Sequence, residues 1–323
     1  MMLRRMACMF SLLCGFSLPA SAEMIALTHA RLIDGTGAAP KYPVTLLIND
    51  RLIEGVLPDA PAPKGYRVVN LQGMTVLPGF INAHVHNAYR EEALQEWLRG
   101  GVTAVRDLGA YPSPTIIATR DRLNQSGRNA LLISATPLIG PPEGYGRVGV
   151  ATPEEGLAEV ESAYARGYEV LKLAIEDDLQ GRRWPVLDQE VAKAMSARAH
   201  QLGMPVAAHI SHVRLLPMAI EAGVDELSHM VVEPLAESQA KDIAARGIAW
   251  VPTLELWQGV QNRHGGSWLN VAVENTGVFH RAGGTIALGT DCDGYTTPFD
   301  HGFPKTEVLL LKRAGLSLMD IIV

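Results

Sequence analysis

Six residues of metal-ligating or reactive type are spread along this chain: His84, His86, Lys172, His209, His229 and Asp291. Two of them close the stretch Thr75-Val-Leu-Pro-Gly-Phe-Ile-Asn-Ala-His84-Val85-His86, which reads as a short apolar strand ending in a histidine pair. In an extended chain residues i and i+2 point to the same side. His84 and His86 therefore present two imidazoles together, while Val85 turns into packing. Neutral imidazoles paired at a strand terminus pack poorly but ligate metals well. From this stretch alone, two unrelated surface histidines are an equally open reading.

Positioning such residues falls to the rhythm of the chain after Thr75, where short β-branched runs alternate with amphipathic stretches. Strands are expected at 76–82, 102–107, 130–134, 168–173, 205–209, 225–229, 248–253 and 285–290. Helices are expected at 90–99, 113–125, 153–166, 187–202, 213–222, 235–246, 268–282 and 302–314. Gly100, Gly167, Gly203, Gly223 and Gly247 follow helical stretches, where a left-handed residue often ends a helix. Repeated β-then-α units with continuous apolar strands imply a parallel sheet. Eight units over residues 75–323 suit a (β/α)8 TIM barrel of ~250 residues. A doubly wound open sheet is the alternative, but no dinucleotide-binding glycine fingerprint follows any strand.

Residues 23–74 read differently. Strand candidates at 24–28, 29–33, 44–48, 51–55 and 66–69 are broken by Asp34-Gly35, Asn49-Asp50 and a Pro-rich stretch at 58–63. These strands are too few to close a domain alone. The fold class expected is thus α/β: a barrel preceded by a small β-sandwich-type domain whose C-terminal half is missing. The chain stops inside the apolar stretch 316–323 without a cap, which reads as truncation.

A barrel places its chemistry at the C-terminal ends of its strands. His84 and His86 end the first expected strand, Lys172 lies in the fourth, His209 ends the fifth, His229 the sixth and Asp291 the eighth. Each has a bland alternative: a hydrogen-bonded core histidine, a snorkelling lysine, an aspartate capping a loop. All six would have to be bland independently, so the set points to one rim that binds metal.

This constellation resembles the amidohydrolase superfamily. The matching motifs are His84-Val85-His86 after Leu77-Pro78-Gly79, then Lys172, His209, His229, and Asp291 in Gly289-Thr290-Asp291. Gly101-Val-Thr-Ala-Val-Arg-Asp-Leu-Gly109 and Glu221-Ala-Gly-Val-Asp-Glu-Leu-Ser-His229 look like the imidazolonepropionase-like and Xaa-Pro dipeptidase-like branch, and the resemblance covers about residues 24–323. It implies two divalent metals, usually zinc. His84, His86 and Asp291 would hold the more buried ion, His209 and His229 the more exposed one, and Lys172 would bridge them as a carbamate. A protonated ammonium cannot ligate a cation; adding CO2 to the neutral amine makes an anionic two-oxygen bridge. Imidazolonepropionase itself uses one metal and lacks this lysine, so Lys172 favours the two-metal branch. A shared hydroxide would attack the scissile carbonyl, because coordination lowers the pKa of water from 15.7 to about 7. Asp291 would act as general base and then acid.

The substrate is less legible. Residues 137–147 follow the third expected strand and should reach over the site; relatives carry Gly-Gly-His-Gly where this chain has Glu143-Gly144-Tyr145-Gly146. Tyr145 or Arg147 could bind a substrate carboxylate, or be exposed loop residues. Tyr89, Arg106, His212, Trp257 and His264 are further candidates for pocket walls, with His212 packing or capping at the start of helix five; Glu255 reads as a loop residue or a contact.

The formal net charge of −6, without a basic run after the first residues, argues against a nucleic-acid partner and for a small-molecule one. Arg4-Arg5, an apolar run from Ala7 to Leu18 and Ala20-Ser21-Ala22 match a secretory signal over residues 1–22. The run is too short for a membrane span of ~20 residues, so a periplasmic or secreted chain without a membrane partner is expected. Cys8 and Cys14 would leave with that signal, keeping Cys292 alone and allowing no intrachain disulfide. The leading reading is an exported metal-dependent hydrolase of a C–N bond in a dipeptide, an N-acyl amino acid or a cyclic amide. A lactonase, esterase or deaminase on the same metals, or a non-catalytic binding protein, are the alternatives. Oligomerisation is left open.

Overall fold

The computed structural model describes residues 23–323 except 180, 295, 300 and 301. The signal segment expected over 1–22 lies outside the described residues. The chain divides into two compact units, the first ending at Leu77 and the second spanning Pro78–Val323.

In the first unit, β1 (Met24–Leu32), β2 (Lys41–Asn49) and β3 (Leu52–Pro58) form an antiparallel meander. Two short strands, β4 (Arg67–Asn70) and β5 (Thr75–Val76), pair with β1 in parallel. Instead of two strands over 24–33, one continuous strand forms. Its register shifts between Leu27 and Ala30, where His29 takes a φ of 50°; such a bulge absorbs a residue without ending the strand. Ala30, Leu32, Val44 and Leu46 form the core of this unit.

The second unit carries β6 (Phe80–Val85), β7 (Val102–Asp107), β8 (Leu131–Ser134), β9 (Ile139–Gly140), β10 (Val148–Gly149), β11 (Leu171–Ala174), β12 (Asp178–Leu179), β13 (Arg182–Arg183), β14 (Val206–His209), β15 (Glu226–Ser228) and β16 (Ala249–Trp250). One parallel sheet runs β6-β7-β8, another β10-β9-β11-β14-β15-β16, and β12 and β13 make a separate hairpin. Three isolated parallel bridges join the ends: Ala135 to Val170, Trp250 to Ile286, and Cys292 to Val85. Followed through these bridges, the pairing runs from β6 to β16, through residues 286–292, and back to β6. The arrangement is α/β and barrel-like. Strands β11 and β14 are buried at every residue, as parallel strands covered on both faces must be. Leu171, Leu173, Val206, Ala208 and Trp250 share a core with helical Val160, Met195, Ile243 and Phe279.

Helices Glu91–Arg99, Ile116–Asn124, Pro153–Arg166, Gln189–Gln201, Leu216–Ala222, Glu237–Ala245, Trp268–Arg281 and Lys305–Arg313 fall within the expected segments. Gly167 closes its helix at φ 94°, a conformation that costs other residues free energy. Gly100 does not follow that rule: it stays right-handed at φ −79°, and Gly101 takes the positive φ of 91°.

Three local expectations fail, each for a physical reason. The strand proposed through Thr75 is two strands: Thr75–Val76 pairs in the first unit and β6 starts at Phe80. Between them Pro78 has no N–H to donate to a ladder, and a Cβ on Gly79 would lie 2.2 Å from Thr103 Cγ2. Residues 285–290 form no regular strand, only bridges at Ile286 and Cys292. There the chain bends to meet β6, with Thr290 N and Asp291 N both donating to His84 O at 3.1 and 2.8 Å. Finally, Leu254–His264 is helical and places Glu255 in its first turn. Its start is capped from far away, since the Glu307 carboxylate accepts from Leu254 N at 2.9 Å and Glu255 N at 2.7 Å. Among the described residues no helix is long and apolar enough to cross a membrane.

Candidate metal centre

All six residues singled out from the sequence line one cavity of about 610 Å³. His84 lies in β6 and His86 just beyond it, while Asp291 comes from the segment that bridges to the same strand. The Nε2 atoms of His84 and His86 approach Asp291 Oδ1 at 3.0 and 2.9 Å. Asp291 adopts a left-handed φ of 55°, a backbone cost of the kind concentrated at functional sites. Gly289 makes this approach feasible, because a Cβ there would sit 2.3 Å from Val251 Cγ1 and 3.0 Å from His84 Cβ.

The second group lies beside the first. The His84 and His229 rings stack with centroids 5.0 Å apart, and His229 Nε2 faces His209 Nδ1 at 3.2 Å. Lys172 is 2% exposed within β11, and its Nζ has no hydrogen-bond partner among the described residues. An ammonium left so would be costly; burial, against the pull of Glu226 and Asp291, lowers its pKa to about 8. The neutral amine that carbamate formation needs is thus within reach near neutral pH.

Burial is also the largest single influence on His84, His86 and His229. It pushes His84 down to about 3 despite the Asp291 carboxylate, and holds His229 well below the usual range. For His86 burial also acts downward, but Asp291 and Asp107 overcome it and the pKa rises. Burial would raise Asp291, yet the surrounding histidines hold it well below the ordinary carboxylate value.

These donors fit a divalent cation. His84 Nε2, His86 Nε2 and an Asp291 oxygen lie within one ligand sphere. Asp291 Oδ1, Lys172 Nζ, His84 Nδ1 and His209 Nε2 are buried without a hydrogen bond among the described residues, and buried polar atoms in proteins are rarely left so.

No protein-family profile matches the chain. An uncharacterized protein of Mycobacterium tuberculosis is 28% identical over 276 residues, which are 76% of this chain and 70% of the relative. An imidazolonepropionase of Klebsiella pneumoniae is 35% identical over 98 residues, 29% of this chain and 23% of that one. Among solved structures, a Xaa-Pro dipeptidase with methionine in its active site superposes with a TM-score of 0.81 at 20% identity, covering 93% of this chain and 86% of that one. A putative prolidase from Bifidobacterium longum gives 0.77 at 25% identity, covering 93% and 81%. These likenesses agree with the resemblance to amidohydrolases read from the sequence. The fold is shared with the Xaa-Pro dipeptidase and the putative prolidase structures.

The remaining expectations sort by position. Tyr145, Arg147, Trp257 and His264 line the cavity. The Tyr145 ring packs on His209 at 4.5 Å and on Trp184 at 5.1 Å; burial, with Asp291 and Glu176 adding, raises its pKa to about 12. His212 is not on the cavity wall. It precedes a 3-10 turn without capping it, and its ring is held between Glu233 and the Asp178 carbonyl. Tyr89 bonds Ser134 at 2.9 Å, and Arg106 pairs with Glu226 while donating to Ala83 O at 2.8 Å. Neither lines the cavity.

Three supporting residues escape a search for ligands alone. Thr253 Oγ1 contacts His229 Nδ1 at 2.7 Å. Glu176, two residues past β11, lies 3.3 Å from His209 Nε2, off the line of a hydrogen bond. It also accepts from Ser211 Oγ and from the backbone N–H groups of Asp177 and Asp178. Asp107 ends β7 with Oδ1 4.0 Å from His86 Nδ1. The strand-end rule that selected His209 selects Asp107 as well; Thr253 has no comparable local signal.

Proposed function

We propose that this protein is a metal-dependent hydrolase cleaving a C–N bond in a small amide, peptide or cyclic amide. The observation that carries the reading is the convergence of two imidazole nitrogens on one Asp291 oxygen, in a cavity that also holds Lys172, His209 and His229. His84, His86 and Asp291 would hold one divalent cation, and His209 and His229 a second. Zinc suits this nitrogen-rich set. Lys172 would join the two as its carbamate, the neutral Nζ taking up CO2 and releasing a proton. Bound cations would supply Lewis acidity and a water acidified toward neutral pH.

The chain's own residues do the rest. Asp291 takes a proton from the attacking water on its carboxylate and returns it to the leaving nitrogen. The Tyr145 ring over His209 shields that side of the site, where its neutral hydroxyl can donate to substrate. The barrel-like strand pairing is consistent with ligands gathered around one cavity, and the sequence of residues 1–22 supports export.

The test is metal analysis of the purified chain, with turnover of dipeptides, N-acyl amino acids and lactones before and after chelation. About two zinc ions per chain and chelator-sensitive amide cleavage are expected. A chain that binds no divalent metal, or cleaves only lactones, overturns the reading.

A further inference from the structure

His212 lies off the cavity wall, yet both nitrogens of its ring are engaged. Nε2 faces the Asp178 carbonyl oxygen at 2.7 Å, and Nδ1 faces the Glu233 carboxylate. A carbonyl can only accept a hydrogen bond, and so can an ionised carboxylate. A neutral imidazole has one N–H and satisfies only one of the two. To meet both, the His212–Glu233 pair must hold one proton more than a neutral ring beside a carboxylate. The surroundings suit that charge. From the side of β11 and β12 come Glu176, whose Oε1 lies 4.0 Å from Nε2, then Asp177 and Asp178; from beyond β15 comes Glu233. The nearby cations are Arg214, which pairs with Asp177 and lies 3.6 Å from Glu233, and Arg183, 3.8 Å from Asp178.

The ring joins segments that follow three different strands. Asp178 opens the β12–β13 hairpin, and Leu179 beside it forms part of the cavity wall. At the base of the hairpin Trp184 N donates to Asp177 O at 2.8 Å. The Trp184 ring packs on Tyr145, which in turn rests on His209. Glu233 belongs to the segment between β15 and helix Glu237–Ala245, and it also accepts from Val213 N at 3.0 Å. The loops after β11, β14 and β15 are thus tied together through one titratable side chain.

We propose that His212 is a pH-sensitive latch, which holds the β12–β13 hairpin and its cavity-wall residue to Glu233 while the ring carries both protons and releases them when it loses one. The latched form binds one more proton than the released form, so latching is complete at the acidic end and is lost as pH rises. Deprotonation leaves a lone pair against the Asp178 oxygen or the Glu233 carboxylate, where a charge-assisted bond had been. This direction separates the latch from carboxylate titration, which ordinarily falls at about pH 4 and would loosen the network toward acid. The latch holds whichever reaction the cavity performs.

The test is amide hydrogen exchange of the full chain, read by mass spectrometry from about pH 5 to about pH 9, a range that spans ordinary histidine titration. Protection of residues 177–184 is taken relative to the intrinsic rate at each pH, which removes the pH dependence of exchange itself and leaves local opening. It should fall roughly 10- to 100-fold with rising pH, while helix Pro153–Arg166 keeps its protection. His212→Asn, which cannot titrate, should be poorly protected and flat across the range. Glu233→Gln, which takes away the charge opposite Nδ1, should move the step to lower pH. Wild-type protection that is flat, or that rises with pH, overturns the proposal. So does a step that survives in His212→Asn, because it then belongs to the cavity histidines. If His212→Asn also loses protection in helix Pro153–Arg166, Glu233→Gln decides: a step moved to lower pH supports the latch, and one at unchanged pH overturns it.

Discussion

Thr253 Oγ1 sits 2.7 Å from His229 Nδ1 and 2.8 Å from the Pro252 carbonyl oxygen. The carbonyl can only accept, so the hydroxyl spends its proton there and must accept from His229 Nδ1–H. The tautomer of His229 is thereby fixed, leaving the lone pair of Nε2 facing His209 and the cavity. Thr253 holds this position in a left-handed conformation, φ 47°. Groups that orient a metal-bound histidine are typically worth about 10- to 100-fold in metal affinity or activity. Thr253→Val should therefore weaken binding of the proposed divalent metal by about that factor, read by competition with a chromophoric chelator.

Asp291 is both a ligand candidate and the proton carrier proposed here. Asp291→Asn keeps the shape but cannot accept a proton. Turnover should fall by at least ~10²-fold, beyond any loss explained by metal content measured on the same sample. A kcat within a fewfold of wild type at full metal occupancy would remove Asp291 from the chemistry.

Lys172 gives a pH signature in the metal-free chain. Burial lowers its folded pKa from 10.5 to about 8, so between those values the unfolded chain binds more protons than the folded one. Stability therefore rises with pH across that window. Below about 8 the full penalty applies, on the order of 3 kcal/mol. Lys172→Met removes this contribution. The difference in Tm between wild type and variant, both metal-free, should be large at pH 7 and shrink toward pH 10.5.

Glu307 holds the start of helix Leu254–His264 by accepting from Leu254 N and Glu255 N. Glu307→Ala leaves the buried Leu254 N–H unsatisfied, at about 1–3 kcal/mol, and the part-buried Glu255 N–H as well, at a smaller cost. Denaturant unfolding should show a matching loss. Metal binding should weaken as well, because Thr253 immediately precedes this helix.

The parts of the fold visible in the sequence were those set by local pattern. Eight observed helices fall within expected segments because their apolar spacing is local, and some carry their caps with them. Asp188, for instance, caps its helix by accepting from Glu190 N and Val191 N. What stayed hidden depends on distant partners: the Leu254–His264 helix relies on Glu307, and the bend at Gly289 relies on the approach of Val251 and His84. The same division holds at the site. His209 and His229 end parallel strands and can be picked by type and position. The fixing of His229 by Thr253, and the removal of His212 from the cavity by Glu233, appear only once the strands are assembled.

The bridge between Val85 and Cys292 makes the first and last segments of the barrel-like circuit neighbours. A ribosome delivers His84 and His86 long before Asp291, and until residues 286–292 emerge the imidazole pair has no carboxylate to share an ion with. Metal capture at this half of the proposed centre would therefore come late in synthesis. It would report that the chain has been made as far as residues 286–292 and joined back to Val85.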